Sequence, residues 1–300
     1  AAILIHSGAD WSFPYYRDGA YCLGLGMTSR EQLLNFLAKA DDPNSAGRQM
    51  PQHFGHKKLR IVSQSSPTGT QFLQAVGCAL ICKMEKEKNI VYVSAGEGTT
   101  SQGDFHEALN WASNAKAPVI FHIQDNEYAI STHRSEQMAD SVYIMTSGYK
   151  NLDRYNIDGT NFFESNLAFK QAIERARKGK GPSVIVSNVV RLLPHSSSDD
   201  QKKYRTEKSL KIDKKKDPIR ILENQCLENN IAAEDEFQKI KETIEIQIEN
   251  DADWADEQVF PDPNTALNHI YSDDKLFVEP KIQPISDKIV IVDAINHALH

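Results

Sequence analysis

The chain has 300 residues, 40% hydrophobic and 25% charged, with a net charge of −7. That is room for one large or two ordinary domains of the soluble globular class, and the acidic total argues against general nucleic-acid binding, whose footprint is a basic patch. No apolar run approaches the ~20 residues that span a membrane, the start Ala-Ala-Ile-Leu-Ile-His lacks a signal-peptide pattern, and the cysteines Cys22, Cys78, Cys82 and Cys226 form no C-x-x-C pair, which fits a reducing compartment.

The first 60 residues mix short apolar segments with turns. Residues 41–56 are expected to be irregular, because Pro43, Gly47, Pro51 and Gly55 punctuate them. Phe72, Ala75, Val76, Ala79 and Leu80 recur at helical spacing. Cys78 and Cys82 fall four apart on that helix and read as small hydrophobes on one face. Ile90 to Val93 is a short β-rich run, followed closely by Gly96-Glu97-Gly98. Phe105, Ala108, Leu109 and Ala112 mark a second helix, and Val119 to Ile123 a second strand that runs into Asp125-Asn126. Phe169, Ala172, Ile173 and Ala176 mark a third helix, stopped by Gly179 and Gly181-Pro182 before a third strand, Ser183 to Val190. Strands alternating with helices predict an α/β fold, a parallel sheet with helices on both faces. Right-handed crossovers put the loops after the strands on one edge, where open α/β sheets bind ligands. A Ser/Asp loop and a charged helical region to about Asn250 follow Arg191. The stretch 260–286 carries Pro261, Pro263, Pro280 and Pro284 and reads as a linker. Ile289-Val290-Ile291-Val292 is strand-like and runs into a helix start.

A lone G-x-G is explained by a turn after a strand. The joint pattern of strand, Gly96-Glu97-Gly98, helix, strand, Asp125-Asn126 says more. Parallel neighbours would bring a carboxylate and an amide oxygen together, hard ligands of the kind Mg²⁺ takes alongside phosphate oxygens and water. The glycines would let a diphosphate approach the backbone, and the helix N-terminus near Gly103-Asp104 favours anions.

The stretch from Gly96 to Ser131, GEGTTSQGDFHEALNWASNAKAPVIFHIQDNEYAIS, resembles the thiamin-diphosphate motif of 2-oxo acid dehydrogenases. The closer resemblance is to the alpha subunit of their decarboxylating component, branched-chain (2-oxoisovalerate) type. Four further stretches agree in the family's order: Tyr15-Tyr16-Arg17-Asp18; Gly47-Arg48-Gln49-Met50-Pro51 with His53-Phe54-Gly55; Ser65-Ser66-Pro67; and His195 to Asp200 with Tyr204-Arg205. It covers about 1–263, with 264–287 as linker, and residues 288–300 look like the opening of the beta-type, transketolase-like pyrimidine domain, as in a truncated fused polypeptide.

The resemblance implies a thiamin-diphosphate-binding fold in which Glu97, Asn126 and the Tyr128 carbonyl ligate Mg²⁺. It implies cofactor contacts from Tyr16, Arg17, Ser66, Thr68, Gly96, Gly98, Thr99, Gln124, Ile130 and His195, with His195 also catalytic. Arg17 suits phosphate as a forked, permanent cation, although on residues alone it reads as a surface partner of Asp18. Ser65, Pro67, Thr70 and Gln71 match a monovalent-cation (K⁺) site of branched-chain relatives, while a helix N-cap before Phe72 would explain the hydroxyls without an ion. Asp199 and Asp200 are expected to fix the His195 loop through Arg205, and Ser196 stands where mitochondrial relatives are phosphorylated. Asp125 and Pro194 depart from the family's usual residues.

The implied activity is oxidative decarboxylation of a 2-oxo acid, with acyl transfer to lipoamide of an acyltransferase partner. A pyruvate or acetoin dehydrogenase alpha subunit is the alternative. The implied assembly is with a beta-type half as a dimer or heterotetramer, with neither nucleic acid nor membrane, in the cytoplasm or mitochondrial matrix. A scaffold that had lost function would lack the metal ligands, and a nucleotide loop would need G-x-G-x-x-G or G-x-x-x-x-G-K-[ST], which Gly96 to Gly98 does not open.

Overall fold

The computed structural model of the chain describes residues 4–5, 8–271 and 289–299. β1 (Trp11–Phe13) leads through Tyr15, Tyr16 and Arg17 into α1 (Gly19–Leu25). α2 (Ser29–Phe36) starts at a capping box, Thr28 accepting from the Glu31 backbone and Glu31 from that of Thr28. Residues 41–56 are irregular, as expected. α3 (Thr70–Met84) precedes β2 (Val91–Gly96), and a 3-10 turn (Glu97–Ser101) joins β2 to α4 (Gly103–Ala115). β3 (Val119–Asp125) is followed by a hairpin of β4 (Tyr128–Ala129) and β5 (Thr132–His133), then by α5 (Arg134–Gln137) and α6 (Val142–Met145). β6 (Asp153–Asp158), α7 (Phe162–Arg177) and β7 (Ser183–Asn188) complete the alternation. The charged region forms α8 (Glu207–Lys215), α9 (Pro218–Glu228) and α10 (Glu234–Asp256).

Contacts divide the chain after Pro261 into two units. The second holds α11 (Ile291–Leu299). Residues 272–287 of the expected linker lie outside the described residues. The strand expected at 289–292 is not what forms, since Ile291 and Val292 open α11. A helix satisfies its backbone groups within the segment, whereas a strand needs a neighbour to pair with.

The five strands of the main sheet run β1-β2-β3-β7-β6, all neighbours parallel. The three predicted strands are its centre. Alternation along β2 sends Val91, Val93 and Ala95 into a core with Phe72, Val76, Phe105 and Leu109 of α3 and α4. Tyr92 points the other way, into a core with Cys22 of α1 and Phe169 of α7. Helices therefore cover both faces. The edge strands were not predicted. β1 has three residues, and β6 buries only Ile157. Outside β1 the chain runs on as a cover: Ser12 N donates to Arg60 O (3.0 Å) and Val62 N to Ser12 O (2.9 Å).

One ion pair ties α7 to the amino end of the sheet. Asp10, whose side chain is fully buried, accepts from both Arg177 guanidinium nitrogens (2.6 and 3.1 Å) and from Ile90 N (3.0 Å). Removing one partner of such a pair leaves an uncompensated charge. Arg177→Ala should cost about 3–5 kcal/mol, and Asp10→Asn with Arg177→Met should recover most of it. Urea unfolding of the three proteins checks this, and equal loss in the single and double variants would refute it.

Candidate functional site

Gly96 of β2 stands opposite Gln124 of β3. The chains leaving these strands therefore carry Glu97 and Asp125-Asn126 side by side at the carboxyl edge. Glu97 Oε2 accepts from Asn126 N (3.3 Å), and Asn126 Oδ1 accepts from Tyr128 N (3.1 Å). A cavity of about 280 Å³ opens here, walled by the loop before α1, the 3-10 turn, the β4–β5 hairpin and the segment after β7. Gly98 is required for this closeness, because a Cβ there would lie 2.6 Å from that of Ala129.

Of the predicted residues, Tyr16, Arg17, Thr68, Gly96, Glu97, Gly98, Thr99, Asn126, Tyr128, Ile130 and His195 line the cavity. Ser66 and Gln124 do not. The Ser66 hydroxyl lies 2.8 Å from His53 Nε2, and Gln124 stands behind Tyr15, accepting from its hydroxyl (3.1 Å). Thr70 Oγ1 donates to Pro67 O (3.1 Å), and Gln71 donates to Ser94 O (3.2 Å). Gly69, left-handed at φ +95°, is the N-cap of α3 and no side chain caps it, so capping does not explain the hydroxyls.

Tyr15 and Arg191 also line the cavity without having been predicted. Arg191 is three residues past β7, so its place at the carboxyl edge was the one available signal. It donates to Ile130 O (2.7 Å) and to the Tyr204 hydroxyl (2.6 Å), beside the Tyr128 ring. Ile130 is held at φ +56°, which a β-branched residue adopts only under constraint.

The electrostatics suit a cation. Glu97 is 2% exposed, and its Oε1 is buried without a hydrogen-bond partner. Burial first, then the Asp125 carboxylate, push Glu97 up to about 7. A hard cation would oppose both effects. Asp125 itself points away, accepting from Arg134 (2.5 Å) and from Glu127 N (2.9 Å). No cluster of three His, Cys, Asp or Glu occurs among the described residues. A metal here would be held by mixed carboxylate, amide and carbonyl oxygens, and the orphaned Glu97 oxygen fits that set.

Arg17 donates to His195 Nδ1 (3.0 Å) and to its carbonyl (2.8 Å). A guanidinium only donates, so Nδ1 accepts and the neutral ring carries its proton on Nε2. Burial, then the Arg17 and Arg191 cations, hold His195 below the usual histidine range. The loop is fixed differently from the expectation. Asp199 accepts from His195 N (2.8 Å) and the Tyr204 hydroxyl (2.6 Å), and Asp200 caps a 3-10 turn. Arg205 is turned beneath the loop to Arg191 O, Gln201 and Asp213, because helix α8 offers it a nearer carboxylate.

Behind the cavity a buried carboxylate, Asp18, accepts from Gln124 Nε2 (2.7 Å), the Ser94 hydroxyl and the Tyr92 hydroxyl (3.4 Å). Burial raises it to about 6 against the pull of these three donors.

The dehydrogenase E1 component family matches over residues 1–264. The chain is 39% identical over 273 residues to 2-oxoisovalerate dehydrogenase subunit alpha of Bacillus subtilis (strain 168), spanning 91% of this chain and 82% of that protein. It is 33% identical over 266 residues to the mitochondrial 2-oxoisovalerate dehydrogenase subunit alpha of Mus musculus, spanning 88% of this chain but 60% of that one. A solved transketolase from Campylobacter jejuni aligns at TM-score 0.45 with 19% identity, over 60% of this chain and 29% of its own.

The Asp18 shift sets a sign. An acid raised in the fold favours folding below its unfolded value, near 3.8, and that contribution is lost as pH rises through about 6. Relative to Asp18→Asn, the protein should lose about 3 kcal/mol between roughly pH 4 and 7, read from urea midpoints. A difference that stays flat with pH would rule out this titration.

Proposed function

The chain belongs to the dehydrogenase E1 component family, and on that basis we propose that it anchors the diphosphate and Mg²⁺ of thiamin diphosphate in the decarboxylating component of a branched-chain 2-oxo acid dehydrogenase. The observation that carries the reading is the partnerless, buried Glu97 Oε1 beside Asn126. Glu97, Asn126 and the Tyr128 carbonyl would hold Mg²⁺, and Arg17, Tyr16, Thr68, Gly96, Gly98, Thr99 and Ile130 would surround the cofactor. Ser66 and Gln124 would support that set from behind, through His53 and Tyr15. When bound, thiamin diphosphate supplies a nucleophilic carbon that lets a 2-oxo acid lose carbon dioxide.

The protein residues supply orientation and charge. Arg17 offers donors in a fixed fork to phosphate oxygens. It also fixes the His195 tautomer, leaving an Nε2–H donor for an oxygen that gains negative charge. A monovalent cation among Ser65, Pro67, Thr70 and Gln71 belongs to the same proposal, and Pro67 O and Thr70 Oγ1 already converge.

The names of the bacterial and mouse relatives support 2-oxoisovalerate (3-methyl-2-oxobutanoate) as substrate. The proposed partners are a beta-type half, fused through residues 264–287 to a domain starting at 288, and an acyltransferase whose lipoamide takes the acyl group. The group that activates the aminopyrimidine is assigned to the beta half, so residues 1–300 alone should not turn over.

Calorimetric titration of the full-length protein with thiamin diphosphate and Mg²⁺ tests the anchor. Glu97→Ala should weaken binding at least about tenfold, and unchanged affinity removes Glu97 from the site. Potassium should raise the melting temperature more than choline does, and equal melting would remove the monovalent site. Steady-state comparison of 3-methyl-2-oxobutanoate with pyruvate should favour the former in kcat/KM, and a preference for pyruvate would move the chain to the pyruvate type.

A further inference from the structure

We infer that Asp18, acting through Gln124, fixes the Tyr15 hydroxyl as a hydrogen-bond acceptor toward the cavity, where it receives an O–H or N–H of the bound ligand. The ligand part rests on the function proposed above, but the polarity of Tyr15 does not.

An ionised carboxylate only accepts hydrogen bonds. Asp18 is 4% exposed and faces the Gln124 amide at 2.7 Å, so the amide must present its nitrogen. Its oxygen is thereby turned to the Tyr15 hydroxyl, 3.1 Å away. A carbonyl oxygen has no hydrogen to give, so Tyr15 donates. A phenol has one hydrogen, and Gln124 takes it. Only lone pairs remain for the cavity that Tyr15 lines.

A second path joins the same two residues. The Ser94 hydroxyl donates to Asp18, and Tyr15 N donates to Ser94 Oγ (3.2 Å). Asp18 thus orients the ring through Gln124 and anchors its backbone through Ser94. It stands at the N-cap position of α1 yet makes no capping bond, having turned into this network instead.

The consequence is a sorting by polarity. Arg17, Arg191 and the His195 Nε2–H offer donors to the cavity. Tyr15 adds an acceptor among them. Phosphate and carboxylate oxygens are drawn to the arginines and repelled by the Tyr15 lone pairs. A hydroxyl or amine of the ligand finds its partner at Tyr15.

The test uses the full-length protein at about pH 8, above the Asp18 titration. Tyrosine labelled with ¹³C at Cζ reports whether the phenol donates or accepts, and Tyr15→Phe identifies the resonance. Asp18→Asn supplies an amide that can donate to Gln124 and let it turn round, so the Tyr15 resonance should move with no ligand added. An unmoved resonance overturns the relay. Calorimetry with thiamin diphosphate and Mg²⁺ then reads the ligand part. Tyr15→Phe and Asp18→Asn should each weaken binding about tenfold, and the double variant no more than either alone. Losses that multiply to about a hundredfold would show Asp18 acting elsewhere. Should Asp18→Asn not fold, Gln124→Leu replaces it in both measurements, since it frees the same hydroxyl. A wild-type protein that binds no cofactor would refute the proposed function, while the resonance still decides the relay.

Discussion

The register of β2 against β3 governs the geometry of the whole carboxyl edge. It is set by packing. Val91, Val93 and Ala95 fit the core under α3 and α4, while Tyr92 faces α1 and α7 and the Ser94 hydroxyl meets Asp18 at the start of α1. A slip of one residue would turn Tyr92 and Ser94 into the first core and expose the wrong set on both faces. With the register held, Gly96 lies opposite Gln124, and Glu97, one residue on, meets Asn126, two residues on along the other strand. The apolar alternation of the strands thereby fixes the distance between two polar groups that never enter the core.

Three buried carboxylates in this region are handled in three ways. Asp125 is paired with a cation, Arg134. Asp18 is ringed by neutral donors from Gln124, Ser94 and Tyr92. Glu97 accepts from the Asn126 backbone on one oxygen, and the other is the one carboxylate oxygen among the described residues that is buried without a hydrogen-bond partner. Pairing stabilises a buried charge, whereas leaving an oxygen open costs stability. Such a cost at the end of a central strand is one that the proposed cation at Glu97 would offset.

Much of this was legible in the sequence where periodicity was strong. The helices α3, α4 and α7 and the strands β2, β3 and β7 carry regular apolar patterns, and they came out at the expected places. The edge strands did not show, because Trp11–Phe13 is three residues long and Asp153–Asp158 is mostly polar. That Glu97, Asn126 and His195 come together at one cavity was legible through motifs. Arg191 and Tyr15 were not assigned a role, since their part depends on which neighbours the fold supplies: Tyr204 and Ile130 O for one, Gln124 for the other. The partner of Asp199 was misjudged for the same reason. Arg205 is close in sequence, but a tyrosine between them reaches it first.

The cover over β1 has a bearing on how the chain behaves in company. An open sheet ends in rows of unpaired N–H and C=O groups, which invite another strand. Here Arg60 and Val62 take up both backbone groups of Ser12 on the outer side of β1. At the opposite edge, β6 sets Asp153, Arg154 and Asp158 along its six residues, with Arg154 reaching across to Tyr143 O. One margin is thus closed by chain and the other guarded by charge. Edge-to-edge aggregation is disfavoured at both, so the apolar strands between them can be long and regular without templating copies of themselves.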